Sequence, residues 1–135
     1  MEHPKLFEPH DPVVERVRAL VQGYPEVAEV EAWGRPTFRA GKKIFAVVGA
    51  TMDRPHTLVF KPDPEEHPAL LERDTVFVPP YFGPSGWLAL ELALDARTDW
   101  TLVAELLDTS YRRVALKRQL AALDARPVLT RPGTD

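Results

Sequence analysis

The sequence predicts an α+β fold: a single antiparallel β-sheet with helices packed on one face, in a two-layer sandwich. Three observations carry this prediction. Between residues 27 and 61 four strand-like segments follow one another with short turns, leaving no room for the helical crossovers that parallel strands need. Two amphipathic helical segments start near Asp11 and near Asp99, each with one apolar stripe to bury. The length of 135 residues fits one domain, and 44% hydrophobic with 27% charged residues suits a folded core.

The elements follow in order. Residues 1–10 read as a loose N-terminal arm. Asp11 is a helix N-cap with Pro12 at the first helical position, where its missing N–H costs nothing. Val13, Val17, Leu20 and Val21 recur at helical spacing, with Val14 beside them, and Gly23 and Pro25 end the helix. Residues 27–33 alternate as a strand. Thr37 to Arg39 is a second strand, Ala40-Gly41-Lys42 a tight turn, and Lys43 to Val48 the returning strand. A loop over 49–55 leads to a strand from His56 to Lys61. A short helix opens at Asp63 or, because of Pro68, at His67, with Leu70 and Leu71 toward the core. Val76 to Val78 and Trp87 to Leu92 are the last strands, separated by a loop with three prolines and two glycines. Asp99 caps the final helix, whose inner face is Trp100, Val103, Leu106, Leu107, Ser110, Tyr111 and Val114. The predicted order is α-β-β-β-β-α-β-β-α. The domain is expected over 11–123, with 124–135 as a flexible C-terminal tail.

Composition removes several classes of function. With no cysteine, the chain can have neither a disulfide nor a thiolate nucleophile, nor a cysteine-ligated metal. No apolar run approaches the ~20 residues that span a bilayer, so no membrane association is expected. The start, MEHPKLFEPH, lacks a basic-then-apolar signal, and a cytoplasmic location is the expectation. The net charge of −3 is unevenly spread. Residues 32–61 carry six bases and one acid, and 111–135 carry six bases and two acids, whereas 62–110 carry ten acids and two bases. The acidic whole repels a polyanion at long range, while the two basic segments favour one locally.

No catalytic constellation stands out, and an enzyme is not expected. Gly83-Pro84-Ser85-Gly86-Trp87 lacks the glycine two residues after serine that a nucleophile elbow needs. Neither phosphate-binding glycine motif occurs. His3, His10, His56 and His67 share no helix turn, so no metal site and no cofactor are expected. The paired acids suit helix starts and caps.

The segment WGRPTFRAGKKIFA (33–46) places Arg35, Arg39, Lys42 and Lys43 on or beside a turn, interleaved with Trp33 and Phe38. β-Ribbon and wing-type readers touch phosphates with such a hairpin. The same pattern also describes an edge hairpin that Lys and Arg protect from aggregation.

This segment, with VPPYFGPSGWLALEL (78–92) and DWTLVAELLDTSYRRVALKR (99–118), resembles the MmcQ/YjbR family over roughly residues 11–120. Three motifs in the right order make the resemblance fairly specific. The pattern falls on Trp33, Gly34, Arg35, Pro36, Phe38, Lys43, Phe45, Tyr81, Gly86, Trp87, Asp99, Trp100, Tyr111 and Lys117. The resemblance implies a frataxin-like α+β sandwich and DNA binding by likeness to a double-wing motif. Many members carry a basic residue where this chain has Ser85, which implies weaker phosphate contact here. Iron binding does not carry over, because the first helix sets Glu15 beside Arg16 and Arg18 and not in an acidic ridge.

Two functions of different class are expected. One is binding of double-stranded DNA through Arg35, Arg39, Lys42, Lys43, Arg54, Lys61, Arg112, Arg113 and Lys117, with Arg118 nearby. The other is a small-ligand or protein-interaction module using the aromatic surround of Trp33, Phe38, Tyr81, Phe82 and Trp87.

Overall fold

The computed structural model describes residues 4–126. Asp11 begins α1 (Pro12–Val21) by accepting hydrogen bonds from the Val13 and Val14 amides at 2.9 and 3.2 Å. Two N–H groups that the helix itself cannot satisfy are thereby paired. The chain then forms β1 (Val27–Ala32), β2 (Arg35–Ala40), β3 (Lys43–Val48) and β4 (Thr57–Phe60), each antiparallel to the one before. After α2 (His67–Leu71) come β5 (Val76–Phe77), a 3-10 turn at Gly83–Ser85, and β6 (Leu88–Glu91). β6 inserts between β4 and β5, giving the sheet order β1-β2-β3-β4-β6-β5. The chain ends in α3 (Trp100–Val114) and α4 (Lys117–Asp124). The fold is the expected α+β sheet with helices.

Alternation along the strands separates two faces. Toward the helices point Phe38, Leu58, Phe60, Leu88 and Leu90, packed with Val17 and Val21 of α1 and Val103, Leu107 and Tyr111 of α3. Phe45 is the extra residue of a β-bulge opposite Phe38 and Arg39, and both it and Ala46 join this core. Two buried hydroxyls fix α3 in place. Tyr111 donates to the Pro25 carbonyl at 2.7 Å. Ser110 donates to the Phe45 carbonyl at 2.5 Å and accepts from the Lys61 amide at 2.8 Å. On the other face Val47, Val59 and Ala89 are covered only by Trp87 and its partly buried neighbours, among them Phe77 and Phe82.

Three details differ from expectation. The last helix is two: the backbone leaves α-geometry at Ala115 (φ −66°, ψ 151°) before α4 begins. No Ser, Thr or Asp announces α4; instead the Gln119 side-chain oxygen accepts from the Leu116 amide at 2.7 Å. Of the two leucines assigned to the core in α2, Leu70 is buried and Leu71 is 37% exposed. Five residues make little more than one turn, which presents one leucine inward. Finally, arm residues 4–10 are docked. The Leu6 amide donates to the Gly34 carbonyl at 2.9 Å, and the Phe7 ring stacks on His56 with centroids 6.0 Å apart. Residues 127–135 of the expected tail lie outside the described residues.

Candidate ligand-binding site

The β1–β2 connection is a two-residue hairpin, because Ala32 pairs with Arg35. Its central residues, Trp33 and Gly34, have φ of 56° and 76°. Positive φ at both central positions is what a type I′ turn requires, and Asn-Gly or Gly-Gly supplies it most cheaply. Gly34 is obligatory for a second reason: a Cβ there would stand 1.9 Å from the Pro4 carbonyl oxygen. Tryptophan at the preceding position carries a strain of roughly 1 kcal/mol. Tyr81, in the loop before β6, is likewise left-handed at φ 65° and is 92% exposed. Two of the three non-glycine residues with positive φ among the described residues are therefore exposed aromatics.

They line one cavity. Trp87 packs on Phe82 with ring centroids 5.2 Å apart, and Phe82 meets Trp33 edge-on at 6.4 Å. Between this row and the sheet face turned away from the core helices lies a hollow of about 790 Å³. Val47 and Val59 contribute sheet-face side chains, Trp33, Tyr81 and Phe82 aromatic ones, and Pro4, Met52 and Pro80 complete the lining. Among the described residues, Arg35 is the single charged one lining it. Its Nε donates to the Gly49 carbonyl at 2.6 Å and its Nη1 to the Trp33 carbonyl at 2.8 Å. Gly49 is held in turn by its amide on the Thr57 carbonyl at 2.8 Å, while the Ala50 amide donates to the Thr57 hydroxyl at 2.7 Å.

The arm that brings Pro4 to this cavity is anchored beside α1. His56 Nε2 lies 3.0 Å from Asp11 Oδ2. Burial acts to raise the Asp11 carboxyl. Its hydrogen bond with His56, the Val14 and Val13 amides and the His56 charge outweigh that, so it lies below its ordinary value.

Of the predicted aromatic surround, Trp33, Tyr81 and Phe82 come together at the cavity, with Trp87 behind them and nearly buried. Phe38 does not belong to this surface. It is 1% exposed in the core under the helices, because on β2 it points opposite to Arg35, Thr37 and Arg39.

The predicted cations do not form one surface. Arg35 lines the cavity, and Arg54 lies 3.9 Å over the Phe77 ring and bonds Glu91 at 3.1 Å. Arg39 donates to the Thr37 hydroxyl at 3.2 Å. The β2–β3 turn, with Lys42 and Lys43, lies at the opposite end of β2 from Arg35, roughly 17 Å away for six residues. There it abuts α4, since a Cβ on Gly41 would lie 2.9 Å from Gln119 Nε2. Lys61 and Arg113 line a smaller cleft of about 280 Å³ with His67 and Ser85. Arg112 is held by Asp108 and Asp124, and Arg118 by two bonds to Glu26. Among the described residues, Lys42, Lys43, Lys61, Arg113 and Lys117 enter no ion pair.

Sequence reasoning missed Pro4, Val47, Met52 and Val59, and assigned Arg35 to another surface. For Val47 and Val59 a signal existed: both β3 and β4 are apolar on both faces, which a sheet covered on one side only does not need. No group of three or more His, Cys, Asp or Glu able to hold a metal occurs among the described residues. No helix among them is long and apolar enough to cross a membrane.

Comparison with known proteins follows the fold. A family model described as YjbR matches residues 22–113. The crystal structure of Deinococcus radiodurans protein DR2400, family-model domain DUF419, is similar with a TM-score of 0.66. The likeness covers 90% of this chain and 94% of that one at 22% identity. No curated protein matches.

Proposed function

The chain belongs to the YjbR family, and we propose that it is a binding module that takes a small, largely apolar ligand into the cavity on the sheet face turned away from the core helices. One observation carries this reading: two exposed aromatics, Trp33 and Tyr81, are held in left-handed backbone at the lining of an apolar hollow of about 790 Å³. Strain and exposure both work against stability, and residues that retain both are expected at binding sites. The volume falls within the range of small-molecule sites. The test titrates ¹⁵N-labelled protein with neutral naphthalene-sized compounds. Val47, Val59 and the Trp33 indole should shift together, and the Trp33→Ala/Tyr81→Ala double variant should bind about tenfold more weakly. Shifts scattered over the surface, or none, overturn the reading.

A second reading rests on a different observation. Five cations without an ion pair, Lys42, Lys43, Lys61, Arg113 and Lys117, lie at a turn and at strand and helix ends, outside the cavity lining. Double-stranded DNA is the partner they suit, with lysine and arginine neutralising backbone phosphates. The module would then hold DNA without reading its sequence. A salt titration, argued below, tests it separately from the cavity.

A further inference from the structure

The geometry points to a ligand that is flat and apolar but carries one anionic group, a carboxylate or an equivalent oxyanion, which Arg35 receives. This rests on the cavity reading and goes beyond it by naming the ligand's chemistry.

Arg35 is half-buried and lines the cavity, yet no carboxylate meets it among the described residues. Its two hydrogen bonds go to neutral carbonyls, of Gly49 and Trp33. These bonds orient the guanidinium without cancelling its charge. Nη2 makes no hydrogen bond with any described residue. A cation set among apolar side chains is costly unless an anion faces it. One N–H on Nη1 and two on Nη2 remain for a ligand, and this outer edge of the guanidinium suits a two-oxygen anion.

The surroundings make Arg35 a fixed receptor. Trp33 and Gly49, whose carbonyls hold it, are themselves fixed, one in the β1–β2 hairpin and the other by the hydrogen bond its amide donates to the Thr57 carbonyl. Its fork is therefore largely ordered before a ligand arrives, which lowers the entropy lost on binding. In the same lining, Phe82 and Trp33 meet edge-on and offer ring surface to a planar body. A flat ring system fills the apolar part of the hollow while its oxyanion reaches Arg35.

The experiment compares 2-naphthoate with 2-naphthamide, which have nearly the same shape and differ by one charge. Calorimetry on the unaltered protein at neutral pH should give about tenfold tighter binding for the acid anion. Arg35→Gln should erase that preference, bringing the ratio of acid to amide affinity to about one. Because Arg35 also ties two carbonyls, Arg35→Lys is carried beside it: the charge remains, the fork is lost, and the preference should fall to a few-fold. Equal affinity of the unaltered protein for acid and amide overturns the anion assignment and leaves the cavity reading standing. Binding of neither compound overturns both. A preference for the acid that survives Arg35→Gln in a folded variant assigns the anion elsewhere and also overturns the inference.

Discussion

Tyr81 shows how far local conformation and solvent exposure can disagree with residue type. Its ring is 92% exposed and its φ of 65° suits glycine, so the side chain does little for the fold. Replacing it with glycine relieves about 1 kcal/mol of strain and loosens the unfolded chain by a comparable amount. Tyr81→Gly should therefore unfold in urea within about 0.5 kcal/mol of the parent while losing affinity for naphthalene-sized ligands. A large loss of stability would assign Tyr81 a structural role instead. Asp11 is the opposite case, a largely buried acid that caps a helix. Asp11→Ala should cost about 1 kcal/mol through the uncapped α1. The carboxyl lies below its ordinary value of 3.8 in the folded protein, so the unfolded chain binds the proton more readily. The contribution of the charge is thus complete above that ordinary value and disappears as pH falls through the lower, folded value. Asp11→Asn, which still caps, should trail the parent at pH 7, and the gap should narrow in acid. Urea midpoints at the two pH values measure it.

Between elements, Ser110 shows a single hydroxyl coupling three of them. It joins α3 to β3 through the Phe45 carbonyl and to the end of β4 through the Lys61 amide. Ser110→Ala leaves both backbone groups unpaired in a buried place and should cost about 2 kcal/mol in urea unfolding. Threonine, which keeps the hydroxyl, tests whether the bonds or the tight packing matter. Most elements were legible in the sequence for physical reasons. Asp11-Pro12 and Asp99 announce helix starts, and the alternation of 27–33 and the glycine of the 40–42 turn announce a meander. α4 was not legible, because its first-turn partner is a glutamine side chain and its burial depends on Gln119 packing beside Gly41 of a distant turn. The arm's docking was hidden likewise, since Leu6 and Phe7 are a weak apolar signal until Gly34, Gly49 and His56 are known to lie alongside. The aromatic half of the candidate site was visible as residue types near glycines. The place of Arg35 in the cavity lining was not legible, because a cation counted with its sequence neighbours gives no sign that the Gly49 and Trp33 carbonyls will hold it there.

For the molecule as a whole, charge and cavity make separable demands. The net charge of −3 opposes a polyanion at a distance, so any duplex binding must come from local phosphate contacts and must be modest. If three of Lys42, Lys43, Lys61, Arg113 and Lys117 engage, log K should fall with log salt at a slope of roughly −3. Exchanging Lys42, Lys43 and Lys117 for glutamate should then abolish binding in a folded protein, because all three side chains are exposed. Salt-independent binding, or equal affinity of parent and variant, removes DNA as a partner and leaves naphthoate affinity untouched. The docked arm has a practical consequence for all such measurements. Pro4 lines the cavity and its carbonyl lies against Gly34. A purification handle or fluorescent reporter fused on the amino-terminal side would therefore be delivered to the cavity mouth, where it can block small compounds or mimic one. The carboxyl-terminal end of the described chain lies elsewhere, beside the end of α1, where a Cβ on Gly23 would stand 3.6 Å from Arg126 Nη1. Titrations of one protein with its handle at either terminus should therefore disagree for small aromatic acids, and cleaving the amino-terminal handle should bring them together.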